Sequence, residues 1–297
     1  MKKTHLLFLL AILPFFSQAQ EGRLKYANKL FNNMSYYYAS EAYEDVIERK
    51  VDSSVVANNI AYSYDKIGNT DQALKWYRFL KRSNSISKEQ QLRLALLERE
   101  AGNYTESENL MASYTKEYGD LDVANDVIQS SSSISKLKQL NKNFELKEQT
   151  SVNTSSSEIG TNFYMDNNVI LASASRRHMA VNTIFSWTGN YFYDLYRAPV
   201  DEDGQIGKMK KIKSKVQSKF HDGPAVYDSL TGYFYFTRNN LIDRKKGTDE
   251  NGVIRLKIFR AKLENGKFKD VQELEINSDN YSNAHPSLSR DGKRMFF

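Results

Sequence analysis

The sequence predicts an α + β protein with its two structural classes in separate domains: helical repeats come first and β-sheet repeats follow. Residues 21–125 contain no Pro and little Gly, and apolar residues recur there at helical spacing. The second half instead repeats a Pro, a short apolar stretch, a turn with Gly and an aromatic strand. At 297 residues and 40% hydrophobic content, the chain is long enough for two domains with their own cores.

The first nineteen residues have the pattern of a secretory signal peptide. Lys2 and Lys3 precede an apolar run over 6–16, and a small-x-small cleavage site follows at 17–19. We expect cleavage after Ala19 and export to the periplasm, with the formal charge falling from +6 to +4. The alternative is a membrane anchor, but the run is shorter than the ~20 residues that span a bilayer.

A 34-residue repeat runs through the helical region, residues 20–142. Gly68 and Gly102 are 34 residues apart, and Met34 stands one period earlier. The columns that agree across the three copies are Tyr36, Thr70 and Tyr104; Ala39, Ala73 and Ser107; and Tyr43, Tyr77 and Met111. This is the tetratricopeptide (TPR) pattern, in which a small residue lets two helices approach closely. We predict an α-solenoid of about three TPR repeats, closed by a capping helix.

The repeat departs from its own pattern at three positions. Met34 replaces the turn glycine, Glu98 stands where the second copy has Tyr64, and Ser107 replaces Ala. Two aromatic features, Trp76 and the Tyr36-Tyr37-Tyr38 run, would either line a peptide groove or belong to the solenoid's own core and surface. After the helices, the polar stretch TSVNTSSS at 150–157 predicts a Ser-rich linker, which we place at residues 143–155.

The β region, residues 156–297, contains a repeated segment. HDGPAVYDSLTGYFYFTRNN, from His221, is answered by AHPSLSRDGKRMFF, from Ala284, and a weaker copy surrounds Gly160. The copies are 63 and 62 residues apart, measured from Gly160 to Gly223 and between their prolines. Between them, the stretches at 192–200 and 253–263 precede Asp-Gly and Asn-Gly turns and predict outer hairpins. Four strands per unit predict an incomplete β-propeller of about two to three blades, broken off at Phe297.

These motifs resemble a known family. HDGPAVY, YFTRNN, LKIFRA, DLYRA and NSDNYSNAHPSLSRDGK are similar to the WD40-like, TolB-related propeller repeats of OmpA-family periplasmic proteins. The resemblance covers roughly residues 150–297. It implies TPR repeats before the propeller and a peptidoglycan-binding OmpA-like domain after it, which this chain does not contain, so we expect a truncated chain.

No catalytic, cofactor-binding or metal-binding residue emerges from the motifs. His178, His221 and His285 have no zinc-ligand spacing. His221 and His285 occupy near-equivalent places in two copies of the β repeat, which favours a structural role. No Cys, GxSxG or phosphate-binding Gly loop occurs. The acidic cluster 201–204 resembles a hairpin turn more than a calcium loop, because the ligand spacing is absent.

A lysine-rich stretch, residues 207–220, is the main charge feature. Its six lysines partly alternate with apolar residues, which fits an exposed edge strand that resists pairing with other strands. The alternative is that the lysines form a basic patch that binds an anionic glycan or lipid headgroup. Because we expect the chain to be exported, we expect no nucleic-acid partner.

Two hypotheses about function follow. The first is a non-catalytic envelope scaffold that binds protein partners through its TPR and propeller surfaces, is tethered to peptidoglycan, and works in an outer-membrane secretion or gliding assembly of the type IX kind. The tether and the assembly come from the resemblance. The alternative is the propeller module of an exported serine peptidase whose catalytic domain follows Phe297, which the sequence beyond that residue would reveal.

Overall fold

The computed structural model describes residues 20–48, 53–120, 146–175, 184–213, 215–242, 245–264 and 267–297, with a few positions between 122 and 137. The predicted signal peptide and His178 lie outside these residues. Contacts divide the chain into two units, which we call the helical unit (residues 1–145 with Phe185–Gly189) and the β unit (146–184 and 190–297). The segment Phe185–Gly189 lies inside the stretch that the sequence assigns to the β domain.

The helical unit begins with three helical hairpins. Their helices are α1 (20–32) and α2 (Tyr36–Glu48), α3 (Ser53–Lys66) and α4 (Thr70–Arg82), and α5 (Lys88–Glu100) and α6 (Tyr104–Tyr118). The described positions between 122 and 137 are also helical, and Ala124 and Val127 are buried against the last hairpin's core. The region is therefore TPR-like, with three hairpins at the predicted period.

The three hairpins turn in the same way. Met34, Gly68 and Gly102 lie between the two helices of each hairpin and have left-handed φ angles of 56°, 76° and 83°. In each turn this residue's amide donates to the carbonyl three residues back, and the next amide donates to the carbonyl five back, at 2.8–3.1 Å. This is the Schellman arrangement, which glycine normally completes because a Cβ is strained at positive φ. Met34 therefore makes the same turn, at a cost in backbone strain.

Met34→Gly should raise the free energy of unfolding of the helical unit by up to about 1 kcal/mol, because it relieves a left-handed non-glycine residue. The loss of the side chain costs little, since it is 45% exposed. Gly68→Ala is the matched opposite and should cost about 1 kcal/mol. A Cβ at Gly68 meets nothing within 4 Å, so its cost is confined to the backbone. Urea unfolding followed by tryptophan fluorescence would measure both, and shifts of the same sign would contradict the prediction.

The repeat columns form the core between the helices. Ala39, Ala73 and Ser107 are fully buried, as expected for small residues between paired helices. The larger residues four positions later are buried as well: Tyr43, Tyr77 and Met111. Ser107 fits among apolar neighbours because its hydroxyl donates to the carbonyl of Ala95 at 2.7 Å.

Glu98, the charged departure from the repeat, is buried and paired. Its side chain is 1% exposed and accepts two hydrogen bonds of 2.6 Å from Arg78 and one of 2.8 Å from Asn103. Burial alone would raise the pKa of Glu98, but these hydrogen bonds and the charges of Arg78 and Lys81 outweigh it, so the pKa is lowered. The ion pair joins the second hairpin to the third where the preceding repeat has a tyrosine.

The β unit contains two four-stranded antiparallel sheets. In the first sheet the spatial order is β1-β2-β3-β4, and in the second it is β5-β6-β9-β10, so both are meanders. Two short pairs, β7-β8 and β11-β12, complete the strands. The bounds are β1 (Glu158–Tyr164), β2 (Asn168–Ser173), β3 (Asp194–Pro199), β4 (Lys210–Lys211), β5 (Asp222–Asp228), β6 (Tyr233–Asn239), β7 (Leu241–Ile242), β8 (Lys245–Lys246), β9 (Leu256–Glu264), β10 (Lys267–Glu273), β11 (Ser287–Leu288) and β12 (Met295–Phe296).

The same irregularity recurs in both sheets at the predicted spacing. The β1-β2 register shifts around Gly160 and the β5-β6 register shifts around Gly223, and both glycines have positive φ. His285, which precedes Pro286 as Gly223 precedes Pro224, also has positive φ. The repeat unit is therefore real. Among the described residues the sheets stay open and form no closed ring, so the propeller remains a prediction.

The core of the β unit lies where β5 packs on the first sheet. A Cβ at Gly223 would lie 2.7 Å from the methyl carbon of Ala172 and 2.9 Å from Leu195, so glycine allows this approach. Beside this contact, Phe234 and Phe236 of β6 are fully buried. Phe234 lies 4.4 Å from Phe268 between ring centroids, which ties the middle of the second sheet to its outer strand.

Candidate peptide-binding surface

Three aromatic side chains from successive helices meet on the helical unit. Phe31 of α1, Tyr36 of α2 and Tyr62 of α3 form what we call the aromatic cluster, with centroid distances of 5.5–5.8 Å. Tyr36 is the first residue of α2, which follows the left-handed Met34 turn. The turn therefore brings its ring against those of the helices on either side.

The segment Phe185–Gly189 lies on this cluster. Trp187 packs edge-to-face on Tyr36, with ring centroids 5.1 Å apart and an interplanar angle of 84°. Its indole N–H donates to the carbonyl of Lys66 at 3.0 Å. Lys66 is the last residue of α3, where carbonyls lack partners within the helix, so the indole satisfies a group that would otherwise need water.

The main chain of the segment is held as well. The amide of Tyr37, in the first turn of α2, donates to the carbonyls of Ser186 and Trp187, each at 3.3 Å. First-turn amides have no partner within their helix. The hydroxyl of Ser35 also donates to that of Ser186 at 3.2 Å. Two helix ends, the carboxyl end of α3 and the amino end of α2, thus supply the polar contacts.

Gly189 ends the segment and is fixed by shape. The amide of Gly189 donates to the carbonyl of Phe185 at 2.9 Å, which closes the five residues into a turn. Its φ is +76°, and a Cβ there would lie 2.3 Å from the ring of Tyr37. Both the backbone angle and the space therefore require glycine at this position.

A cleft of about 600 Å³ lies beside the cluster, between α3 and α5. Arg93 reaches across it and pairs with Asp65 at 2.6 Å and with Glu100 at 2.9 Å. The Lys66 ammonium lies 5.0 Å from the centroid of the Tyr62 ring. The positive charges at the cleft are therefore already engaged, by carboxylates or by a π face.

The tyrosine run that the sequence singled out divides among different environments. Tyr36 is buried in the cluster, Tyr37 contacts the segment, and Tyr38 is 36% exposed. Trp76 packs instead against both hydrophobic cores of the helical unit, and its indole donates to Glu44 at 3.3 Å. The sequence motifs did not predict a role for Trp187. Its pairing with Phe185, in a stretch that lacks the alternation of a strand, could have indicated a packing or binding segment there.

Two neighbouring titratable groups of the β unit, His221 and Asp222, have structural partners. His221 accepts a hydrogen bond at Nδ1 from the Tyr193 amide at 3.2 Å, and burial lowers its pKa to about 4. Burial raises the pKa of Asp222 to about 6, although Arg238 and the Ser218 amide oppose this. The register that pairs the prolines aligns His285 with Gly223, so the two histidines are offset and share no role.

The acidic turn and the lysine-rich stretch also have local explanations. The Asp201 carboxylate accepts from the amides of Asp203 and Gln205 at 3.1 and 2.8 Å, as expected for a hairpin turn. Within the lysine-rich stretch only Lys210–Lys211 form a strand, β4, at the edge of its sheet. Met209 and Ile212 on either side are buried, and the lysines are exposed. The two exposed lysines fit a solvated edge strand, which is much shorter than the predicted one over 207–220.

Within the described ranges, no three His, Asp or Glu side chains are grouped in a way that could ligate a metal ion. None of the helices in that part of the chain has both the length and the apolar character needed to cross a bilayer.

Comparison with known proteins gives a structural likeness. No family model matches the chain, and no curated protein matches it. Among solved structures, the chain is similar to the Sgt2 TPR domain from Aspergillus fumigatus, with 12% sequence identity and a TM-score of 0.32. The match covers 46% of this chain and 91% of that domain. A likeness this distant carries no argument about function, which rests on the geometry described above.

Proposed function

We propose that this chain is a non-catalytic adaptor that binds protein partners through its TPR-like helical unit. One observation carries the proposal: the surface at α1, α2 and α3 holds Phe185–Gly189, a short segment that is neither helix nor strand. Aromatic stacking, an indole hydrogen bond and main-chain hydrogen bonds hold it. Stacked-helix repeats commonly bind partners in this way, because their surfaces leave helix ends and side chains open to a peptide.

The finer proposal is that the adaptor works in the cell envelope. It rests on the signal-peptide pattern of residues 1–19 and on the resemblance of the β unit to periplasmic propeller repeats. The repeated meander sheets would be successive blades and would offer a second surface. In the full-length protein a further domain would tether the assembly to peptidoglycan, in an outer-membrane secretion or gliding assembly.

Site-specific photo-crosslinking in the source cells tests the adaptor role. A benzophenone amino acid replaces Tyr62, which is in the aromatic cluster and 37% exposed, or Val55, which is on the same helix and 67% exposed. We expect a discrete adduct with an envelope protein from position 62 and none from position 55. Adducts from neither position, with the protein folded and exported, would reject partner binding through this surface.

Export has its own test. The mature protein recovered from the envelope should begin at Gln20, since cleavage is expected after Ala19. N-terminal sequencing or mass spectrometry of the purified protein measures this directly. A mature protein that keeps Met1 and stays in the cytoplasm would refute the envelope proposal while leaving the adaptor role open.

A further inference from the structure

We propose that the aromatic cluster is a recognition site for tryptophan-containing turn peptides, and that Phe185–Gly189 is the chain's own resident ligand for it. A partner would present the same turn and displace this segment. The inference rests on the proposed adaptor function and adds the chemistry of the partner.

The indole is the first requirement. Near the end of α3, the carbonyls of Ser63, Tyr64 and Asp65 accept from the amides of the following turn. The carbonyl of Lys66 instead accepts from the indole of Trp187. A ligand must therefore place an N–H donor at the edge of a flat apolar ring that packs on Tyr36. Tryptophan combines these two properties, whereas phenylalanine has no donor.

A tight turn with glycine is the second requirement. The Tyr37 amide needs a carbonyl from the residue at or just before the tryptophan, as it now has from Ser186 and Trp187. Two residues after the tryptophan the chain must take a positive φ against the Tyr37 ring, where a Cβ does not fit. Phe185 stacks on Trp187, with ring centroids 6.5 Å apart, and so supports the indole from within the turn. The ligand pattern is therefore aromatic-x-Trp-x-Gly, folded as a turn, which matches Phe185–Gly189.

The charges around the cluster favour an uncharged ligand. Arg93 is paired with Asp65 and Glu100, and Lys66 lies over the Tyr62 ring. A peptide that presents a carboxylate would have to break one of these interactions, and both Asp65 and Glu100 would repel it. We therefore expect a neutral turn of a partner protein rather than an acidic tail.

The segment is held in a way that permits exchange. Its residues from Phe185 to Gly189 are partly exposed rather than buried, and the two main-chain hydrogen bonds from Tyr37 are long, at 3.3 Å each. The ligand is also part of the same chain, so its effective concentration at the site is high and a free peptide must compete with it. A variant that disables the resident ligand should then expose the site.

Fluorescence anisotropy with a labelled peptide, TIFSWTGN, from residues 183–190, tests the proposal. The full chain is used as the wild type and as Trp187→Ala, with folding checked by circular dichroism and by the fluorescence of Trp76. We expect saturable binding to Trp187→Ala and at least tenfold weaker binding to the wild type. Equal affinities, or no saturable binding to a folded Trp187→Ala protein, would overturn the proposal.

Two peptide variants distinguish specific recognition from nonspecific binding. A peptide with phenylalanine for tryptophan loses the indole donor, and one with alanine for glycine meets the Tyr37 ring; each should bind Trp187→Ala at least tenfold more weakly. Unchanged binding by both would also overturn the proposal. If the peptide fails but the Tyr62 crosslink persists, the adaptor function stands and this ligand chemistry is wrong. If both fail, the adaptor function falls as well.

Discussion

Phe234→Ala is expected to lower the free energy of unfolding of the β unit by about 3–5 kcal/mol, the usual cost of removing a buried phenylalanine ring. Phe234 is fully buried and lies among Tyr164, Phe236 and Phe268, with centroid distances of 6.5, 5.7 and 4.4 Å. These neighbours come from three different strands. They cannot all move into the space that the ring leaves, so a cavity remains.

Phe163→Ala is the matched control, because Phe163 also lies on a strand but is 87% exposed. Its substitution should change the stability by no more than about 0.5 kcal/mol. Both tryptophans belong to the helical unit, so tryptophan fluorescence during urea unfolding reports that unit alone. The β unit is followed by the part of the far-ultraviolet circular dichroism change that does not coincide with the fluorescence transition. Similar losses for the two variants would show that the assigned core is wrong.

Arg238→Met should lower the free energy of unfolding of the β unit by a comparable amount, about 3–5 kcal/mol at pH 7, because it leaves a buried carboxylate without its cation. Asp222 is fully buried, and Arg238 donates to it from Nε at 3.1 Å and to the Lys215 carbonyl at 2.8 Å. The guanidinium also lies about 5 Å from the ring of Phe236. Methionine keeps part of the apolar stem and removes the charge.

The stability that Arg238→Met loses should increase as the pH rises. The folded-state pKa of Asp222 is already raised to about 6, above the value of about 3.9 in an unfolded chain. The folded state therefore holds this proton more tightly, and that contribution to stability is present below pH 4 and lost as the pH rises through 6. Removing Arg238 raises the pKa further, so the difference between the two proteins should grow from pH 4.5 to 7.5.

The double variant Asp222→Asn, Arg238→Met separates charge from packing. With both charges removed, much of the lost stability should return, and its difference from the wild type should vary less with pH than that of Arg238→Met. His221, with a pKa near 4, acts in the opposite direction as the pH falls, but it is present in every variant and cancels in the differences. An equal loss for Arg238→Met at pH 4.5 and 7.5 would contradict the assignment of the pair.

The helical repeat could be predicted in detail because it is local. A 34-residue period places Ala39, Ala73 and Ser107 at the same point of successive hairpins, and all are buried. The β repeat was also predictable as hairpins, because Gly160 and Gly223 mark matching bulges. Burial of Glu98 was not predictable, since it depends on Arg78 of the preceding hairpin, 20 residues away.

The candidate site shows where sequence information ends. Periodicity by itself determined the turns, the small residues between helices and the alternation of the sheets, because neighbours along the chain set these features. Only the tertiary structure decided that Trp187 belongs with Tyr36 and Lys66, which precede it by more than a hundred residues. An indole that completes a helix end and a glycine that fits a tyrosine ring are matches between distant surfaces. Residue spacing cannot predict these two contacts, because they depend on the shape of the surfaces and on which backbone groups the helices leave without partners.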